Sequence, residues 1–254
     1  ATFGAFSVAP ILVTFAATRE RPEFRNQVQP RLLPSMRAAI RNRPFIFGMV
    51  MFLLTWMSID ILQVILLYYI KYVLGRESQA DLIMAAIFVT ALLALPIWLM
   101  VSGKSDKRIA YVIGISFWAI VQILLITLNS ASSLSVVLGM CVLAGIGVAA
   151  AHVLPWSIIP DAIEWDERQT GERHEGMFYS IVTLAQKVAS SVAIPLALLF
   201  LQAAGYRGAT NVGGEMVAAA AGQEEQAVWA IRILVGPIPA VLLVIGIVFA
   251  IYYP

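Results

Sequence analysis

Seven runs of apolar residues, at 1–17, 45–73, 80–101, 109–128, 133–159, 177–203 and 227–253, alternate with short polar segments along the chain. A bilayer hydrocarbon core of about 30 Å is crossed by roughly 20 mostly apolar residues in an α-helix. Every run after the first is long enough. The first is short, and the chain opens inside it without a methionine, which predicts a fragment of a longer protein. Barrel strands run only about 9–11 residues with strict alternation. These runs are too long and too uniformly apolar for that, so the pattern predicts an all-α integral membrane protein.

The intervening segments differ in charge. Arg19, Arg21, Arg25, Arg31, Arg37, Arg41 and Arg43 lie between the first two runs, Lys104, Lys107 and Arg108 follow the third, and Arg168 and Arg173 follow the fifth. The alternate segments hold only Arg76 and Arg207, with no basic residue in 129–132. Basic residues in short loops favour the cytoplasmic side, so the first residue is expected outside and the C-terminus in the cytoplasm. Between Leu32 and Arg43, apolar Leu33, Met36 and Ile40 mix with arginines. That pattern predicts a short amphipathic helix lying on the inner leaflet against anionic lipid. The Ala/Gly-rich stretch around 217–222 is expected to be a flexible outer loop.

Composition agrees. Of 254 residues, 60% are hydrophobic and 13% charged, against about 25% charged in a soluble domain, so lipid must be part of the solvent. The net charge of +2 and the absence of any recognition module argue against nucleic acid as a partner. Cys141 is the one cysteine and sits in an apolar run, so no disulfide framework exists. No HExxH, G-x-S-x-G, P-loop or CxxC pattern occurs, nor a set fit for a triad, so the chain is not expected to be an enzyme.

Ionisable side chains are expensive in a membrane span, about +2.5–3.5 kcal/mol at a helix centre, and are functional candidates by default. Lys187 lies mid-run, with Tyr179, Thr183, Gln186, Lys187 and Ser190 at i, i+4, i+7, i+8 and i+11, a spacing that predicts one polar stripe. Trp56, Asp60 and Gln63 share a face of the second run, which makes a wall for polar ligands or supplies a counter-ion for Lys187. Arg232, near an end of its run, is expected to snorkel. His152 sits beside the small residues Gly145, Gly147, Ala149, Ala150 and Ala151, which predict close helix approach. It is expected to hydrogen-bond a neighbouring helix, with Trp156 on the same stripe as a solute contact. No metal site is expected. Pro96, Pro155 with Pro160, Pro195, and Pro237 with Pro239 are expected to kink their helices. The loop 160–176 is dense in both signs, and Asp161, Glu164, Asp166, Glu167, Arg168 and Arg173 are candidates for an ion-paired gate.

The run 154–167 (Leu-Pro-Trp-Ser-Ile-Ile-Pro-Asp-Ala-Ile-Glu-Trp-Asp-Glu), then 170–180 (Thr-Gly-Glu-Arg-His-Glu-Gly-Met-Phe-Tyr-Ser), then Gln186-Lys187, resembles helices ten and eleven of the glycoside–pentoside–hexuronide:cation symporters. That is the melibiose permease-like family of the major facilitator superfamily. Leu95-Pro-Ile-Trp98, the stretch 147–151 and the run 154–161 are also similar to the animal sodium-dependent lysophosphatidylcholine symporters. The resemblance implies a superfamily C-terminal six-helix bundle at 45–254, a truncated helix six at 1–17 and a cytoplasmic central loop at 18–44. It also implies that Lys187 corresponds to a helix-eleven lysine close to the cation site. In the family, the cation-binding acids lie in the first half, outside this chain.

The expectation is a multi-pass plasma (inner) membrane transporter working by alternating access. It would couple sodium or protons to symport of a small solute, a glycoside first and a lysophospholipid as alternative, with no resident cofactor. Its partners would be the bilayer, the solute and the missing N-terminal half. A non-transporting receptor or scaffold derived from such a carrier is the rival from another class.

Overall fold

A computed structural model describes residues 2–18, 32–172, 174–208, 210–212, 215–217 and 223–254; the side chains of 2–7, 32–35, 38 and the short strands lie outside the description. Among the described residues six helices are long and apolar enough to cross a membrane: Arg43–Val73, Glu77–Lys104, Lys107–Leu125, Leu134–Thr170, Glu175–Ala203 and Glu225–Ile251. They coincide with the last six apolar runs. In chain order the elements are α1 (Thr2–Ala17), α2 (Leu32–Arg41), α3 (Arg43–Tyr68, continued by one π turn, Tyr69–Val73), α4 (Ala80–Lys104), α5 (Lys107–Leu125), α6 (Leu134–Thr170), α7 (Glu175–Ala203), a small antiparallel hairpin of β1 (Thr210–Val212) and β2 (Glu215–Val217), α8 (Glu225–Val235) and α9 (Pro237–Ile251).

Local chemistry sets the starts. Asn42 caps α3, its side-chain oxygen accepting from the Phe45 N–H at 2.9 Å, and Pro44 follows where its missing donor costs nothing. Asp106 caps α5 through the Arg108 N–H, and Ser133 caps α6 through the Val136 N–H.

Helix α6 is the hub. Its pairing with α4 is the most extensive in the fold, followed by that with α5, while α9 packs on α3 and α5. Small residues make this possible, as expected: Ala149, Ala150 and Ala151 are buried. A Cβ on Gly147 would lie 2.3 Å from Trp118 of α5, and one on Gly145 2.6 Å from the Ile87 carbonyl of α4. Gly147→Val is therefore expected to cost about 1–3 kcal/mol by overpacking and to lower the unfolding midpoint in detergent. Gly139 of the same helix, with open space around it, should tolerate alanine without loss.

One expectation needs correction. The stretch 160–170 is not loop: α6 runs 37 residues to Thr170 and ends on Gly171 at φ 71, whose N–H bonds the Glu167 carbonyl. At 1.5 Å per residue that is about 55 Å, well beyond a hydrocarbon core of about 30 Å. The charged turns are thus a helical projection carried past the membrane, and 171–174 alone link it to α7. Pro96, Pro155, Pro160 and Pro195 each lie inside a helix. The last span is interrupted at Gly236 before Pro237, where a Cβ would lie 2.8 Å from the Gln122 carbonyl. Residues 218–222, expected to be flexible, fall outside the described residues.

Candidate functional site

One wall of the bundle collects most of the sequence-nominated residues. Trp56 of α3 meets the His152 ring of α6 at 5.5 Å and the Trp156 ring at 6.3 Å, and stacks on Phe52 at 5.4 Å. Trp156 in turn packs edge-on to Phe52 at 4.7 Å and stacks on Tyr179 of α7 at 6.4 Å. Tyr179, Trp156, Trp56 and His152 therefore form one continuous aromatic surface across three helices, with its members half-buried or, at Tyr179, 38% exposed.

One turn further along α3, Asp60 accepts a short hydrogen bond from the Ser190 hydroxyl of α7. The carboxylate thus ties α3 to α7 on the same wall. Ser190, not Lys187, is its partner, because Ser190 faces α3 while Lys187 points away. Lys187 is exposed and makes no ion pair among the described residues. It lies 12 residues into the 29-residue α7, about 18 Å along the axis from its first residue. Tyr179, Thr183, Gln186 and Ser190 flank the buried stripe of α7 (Phe178, Val182, Ala193, Ala197). The Thr183 hydroxyl donates to the Tyr179 carbonyl of its own helix. Gln63 is exposed and Gln186 half-buried, each free to contact a solute or another chain segment.

His152 does not bond a neighbouring helix as expected. Its Nδ1 donates to the Val148 carbonyl one turn back, 2.8 Å away. That bond holds the ring and turns Nε2 outward from the helix. The Arg232 guanidinium is half-buried and donates to the Ile126 and Leu128 carbonyls, the latter at 2.9 Å. The end of α5 offers carbonyls left unpaired within that helix.

At the basic end, Lys107 pairs with Asp161 at 2.5 Å, joining α5 to α6. Arg108 donates to the Ile251 and Tyr253 carbonyls, which joins α5 to α9. The Asn42 side-chain amide donates to the Ala162 carbonyl at 2.9 Å, which joins the α2–α3 corner to α6. Burial, with Asp161 and Asp106 close by, pushes the Tyr253 phenol up to about 12. Glu164 pairs with Arg168 one turn on, at 2.6 Å, and Glu167 is also engaged. Asp166 and His174 form a buried pair, Nδ1 to Oδ2 2.8 Å, with Glu172 3.1 Å from Nε2. Of the gate candidates, Arg173 lies outside the described residues. Glu164, Glu167 and Glu175 line a cavity of about 480 Å³ that reaches Tyr179. Sequence reasoning missed His174, Asn42 and Lys107 as structural partners, because each acts through residues more than a hundred positions or a whole helix away, or through a buried turn. Among the described residues no cluster could hold a metal ion.

Six apolar spans around a polar and aromatic wall define a multi-pass membrane protein. A family model described as MFS/sugar transport protein matches residues 1–254, and the chain belongs to that family. It is 34% identical over 224 residues to an uncharacterized symporter of Synechocystis sp., covering 88% of this chain and 40% of the relative. It is 28% identical to the sodium-dependent lysophosphatidylcholine symporter 1-A of Danio rerio, covering 95% of this chain and 44% of the relative. It is 27% identical to a sphingosine-1-phosphate transporter of Xenopus tropicalis, covering 96% of this chain and 46% of the relative. The chain spans less than half the length of these curated relatives.

Proposed function

We propose that the chain is the C-terminal half of a cation-coupled symporter that binds its solute between this bundle and a second, N-terminal bundle. The observation that carries the reading is the continuous wall Trp56–His152–Trp156–Tyr179 with the Asp60–Ser190 bond beside it. Aromatic and polar groups of this kind, left half-open, are costly against lipid and useful against a solute. Helix α7 supports a second bundle on this side: only 17% of its apolar window is buried, against 28–50% in the other spans. In this reading Lys187 stands opposite the acids of the other half and couples the ion, sodium or a proton, to solute binding. The charged end of α6 with Lys107, Asp161 and the basic central loop closes the cytoplasmic side when the halves rock. The first residue is then outside and the C-terminus in the cytoplasm.

For the solute, a sugar or glycoside suits the wall, since ring C–H faces stack on Trp56, Trp156 and Tyr179 while Asp60, Gln63 and Gln186 meet hydroxyls. A lysophospholipid is favoured by the names of the relatives, and by the exposed Lys187 amine among exposed Leu184 and Val188, where an anionic head and an apolar tail would sit together. Uptake into proteoliposomes holding the full-length carrier separates them. A labelled glycoside taken up under a sodium or proton gradient and unaffected by lysophosphatidylcholine supports the first; the reverse competition supports the second. Gradient-independent entry of neither solute, with no uptake of any kind, refutes the carrier itself.

A further inference from the structure

We propose that α2 is a docked recognition helix for anionic phospholipid headgroups in the leaflet at the basic end of the bundle. This goes beyond the transport reading and does not depend on the solute. Helix α2 joins the spanning helix α3 through Asn42 alone, so it lies where α3 leaves the hydrocarbon. Its two long sides have opposite fates. Ala39 is buried, and Asn42 is buried with its amide on the Ala162 carbonyl, which seats this side on a small core of Phe45, Phe52, Ile163 and Phe178. On the other side Met36 and Ile40 are 42% and 59% exposed. At 100° per residue Arg37 and Arg41 fall beside them.

Arg37, Arg41 and the adjacent Arg43 are exposed, and none makes an ion pair or hydrogen bond among the described residues. No Asp or Glu occurs from Leu32 to Ile59. Other basic side chains at this end are used internally: Lys107 holds Asp161, Arg108 holds the end of α9, and Arg168 holds Glu164. Among the described residues at this end, exposed Arg37, Arg41, Arg43 and Lys104 are left for an external anion, and the three arginines lie together around α2. Two exposed apolar side chains flanked by guanidinium groups match the boundary where acyl chain meets phosphate. Guanidinium groups bind phosphate oxygens in a fork that a lysine lacks. Neutral phosphatidylcholine carries its own ammonium and offers less, so the partner is an anionic glycerophospholipid such as phosphatidylglycerol. Because the opposite side of α2 rests on α6 through Asn42, bound lipid also steadies the projecting end of α6.

The test uses the full-length protein, released from vesicles containing equal phosphatidylcholine and phosphatidylglycerol and examined for retained lipid by native mass spectrometry. Wild type is expected to retain phosphatidylglycerol preferentially. A basic side chain at a membrane surface contributes about 1 kcal/mol, or roughly fivefold, so the pair R37Q/R41Q should lower the preference about 25-fold. Both side chains are exposed and unpartnered, so the variant keeps its fold, which its unfolding midpoint in detergent verifies. K104Q, at an exposed lysine elsewhere on the same end, should leave the preference unchanged. Three results would overturn the proposal: equal retention of the two lipids by wild type, an unchanged preference in R37Q/R41Q, or an equal loss in K104Q, which would mark diffuse attraction. A double variant that keeps the lipid but weakens association with the first half assigns these arginines to protein contact and overturns it too.

Discussion

Replacing Lys187 with leucine is expected to reduce coupled uptake by the full-length carrier by roughly two orders of magnitude. The estimate takes one charge-assisted contact of about 3 kcal/mol as lost. The side chain is exposed, mid-span and unpaired in this half, so nothing here depends on it for packing, and the protein should express and unfold normally. An ammonium at that depth persists at a cost of a few kcal/mol, which a carboxylate of the other half, an ion or an anionic solute head can offset. Lys187→Arg keeps the charge and should retain part of the uptake while shifting its dependence on sodium or protons. Uptake in the leucine variant that matches wild type in rate and ion dependence would rule out the coupling role and leave Lys187 a lipid-facing residue.

Replacing His174 with alanine is expected to destabilise the protein by about 3 kcal/mol, since a buried Asp166 loses its partner. Both residues are at most 5% exposed and lie 2.8 Å apart at the short link between α6 and α7. The loss should appear as a lower unfolding midpoint and as faster proteolysis near 171–174. His174→Gln, which restores a donor at similar length, should recover part of it, and His174→Ala combined with Asp166→Leu more. If His174→Ala unfolds like wild type, the pair is an incidental contact and the link is held by something else. The outcome also bears on the gate, because the same pair sets where the charged end of α6 stops.

Much of this was legible from the order of residues. Spans of the required length are a one-dimensional property: a bilayer demands about 20 apolar residues and satisfied backbone groups, and the runs from 45 to 253 met that demand before any packing was known. The amphipathic segment at 32–43 and the small-residue stretch at 145–151 were readable for the same reason, since helical periodicity alone decides which residues share a side. The wall was partly legible: Trp56, His152, Trp156 and Tyr179 were nominated one by one, and their meeting is a fact of three helices crossing.

What lay beyond sequence was partner choice. Asp60 lies opposite Ser190 and not Lys187, because the registry of α3 against α7 is set by packing such as Phe45 on Phe178, 4.5 Å between rings. His152 bonds the Val148 carbonyl of its own helix, and Arg232 the carbonyls just past α5. The helicity of 160–170 was hidden by a proline and dense charge that look like a loop. It persists because Glu164–Arg168 and the anchoring bonds from Lys107 and Asn42 support turns that no bilayer covers. The sequence by itself determined that this is a membrane-spanning helical protein, since solvent partition depends on composition along the chain. The tertiary structure alone decided which polar groups meet, since a hydrogen bond of about 3 Å depends on helix registry and rotation that apolar pattern leaves free.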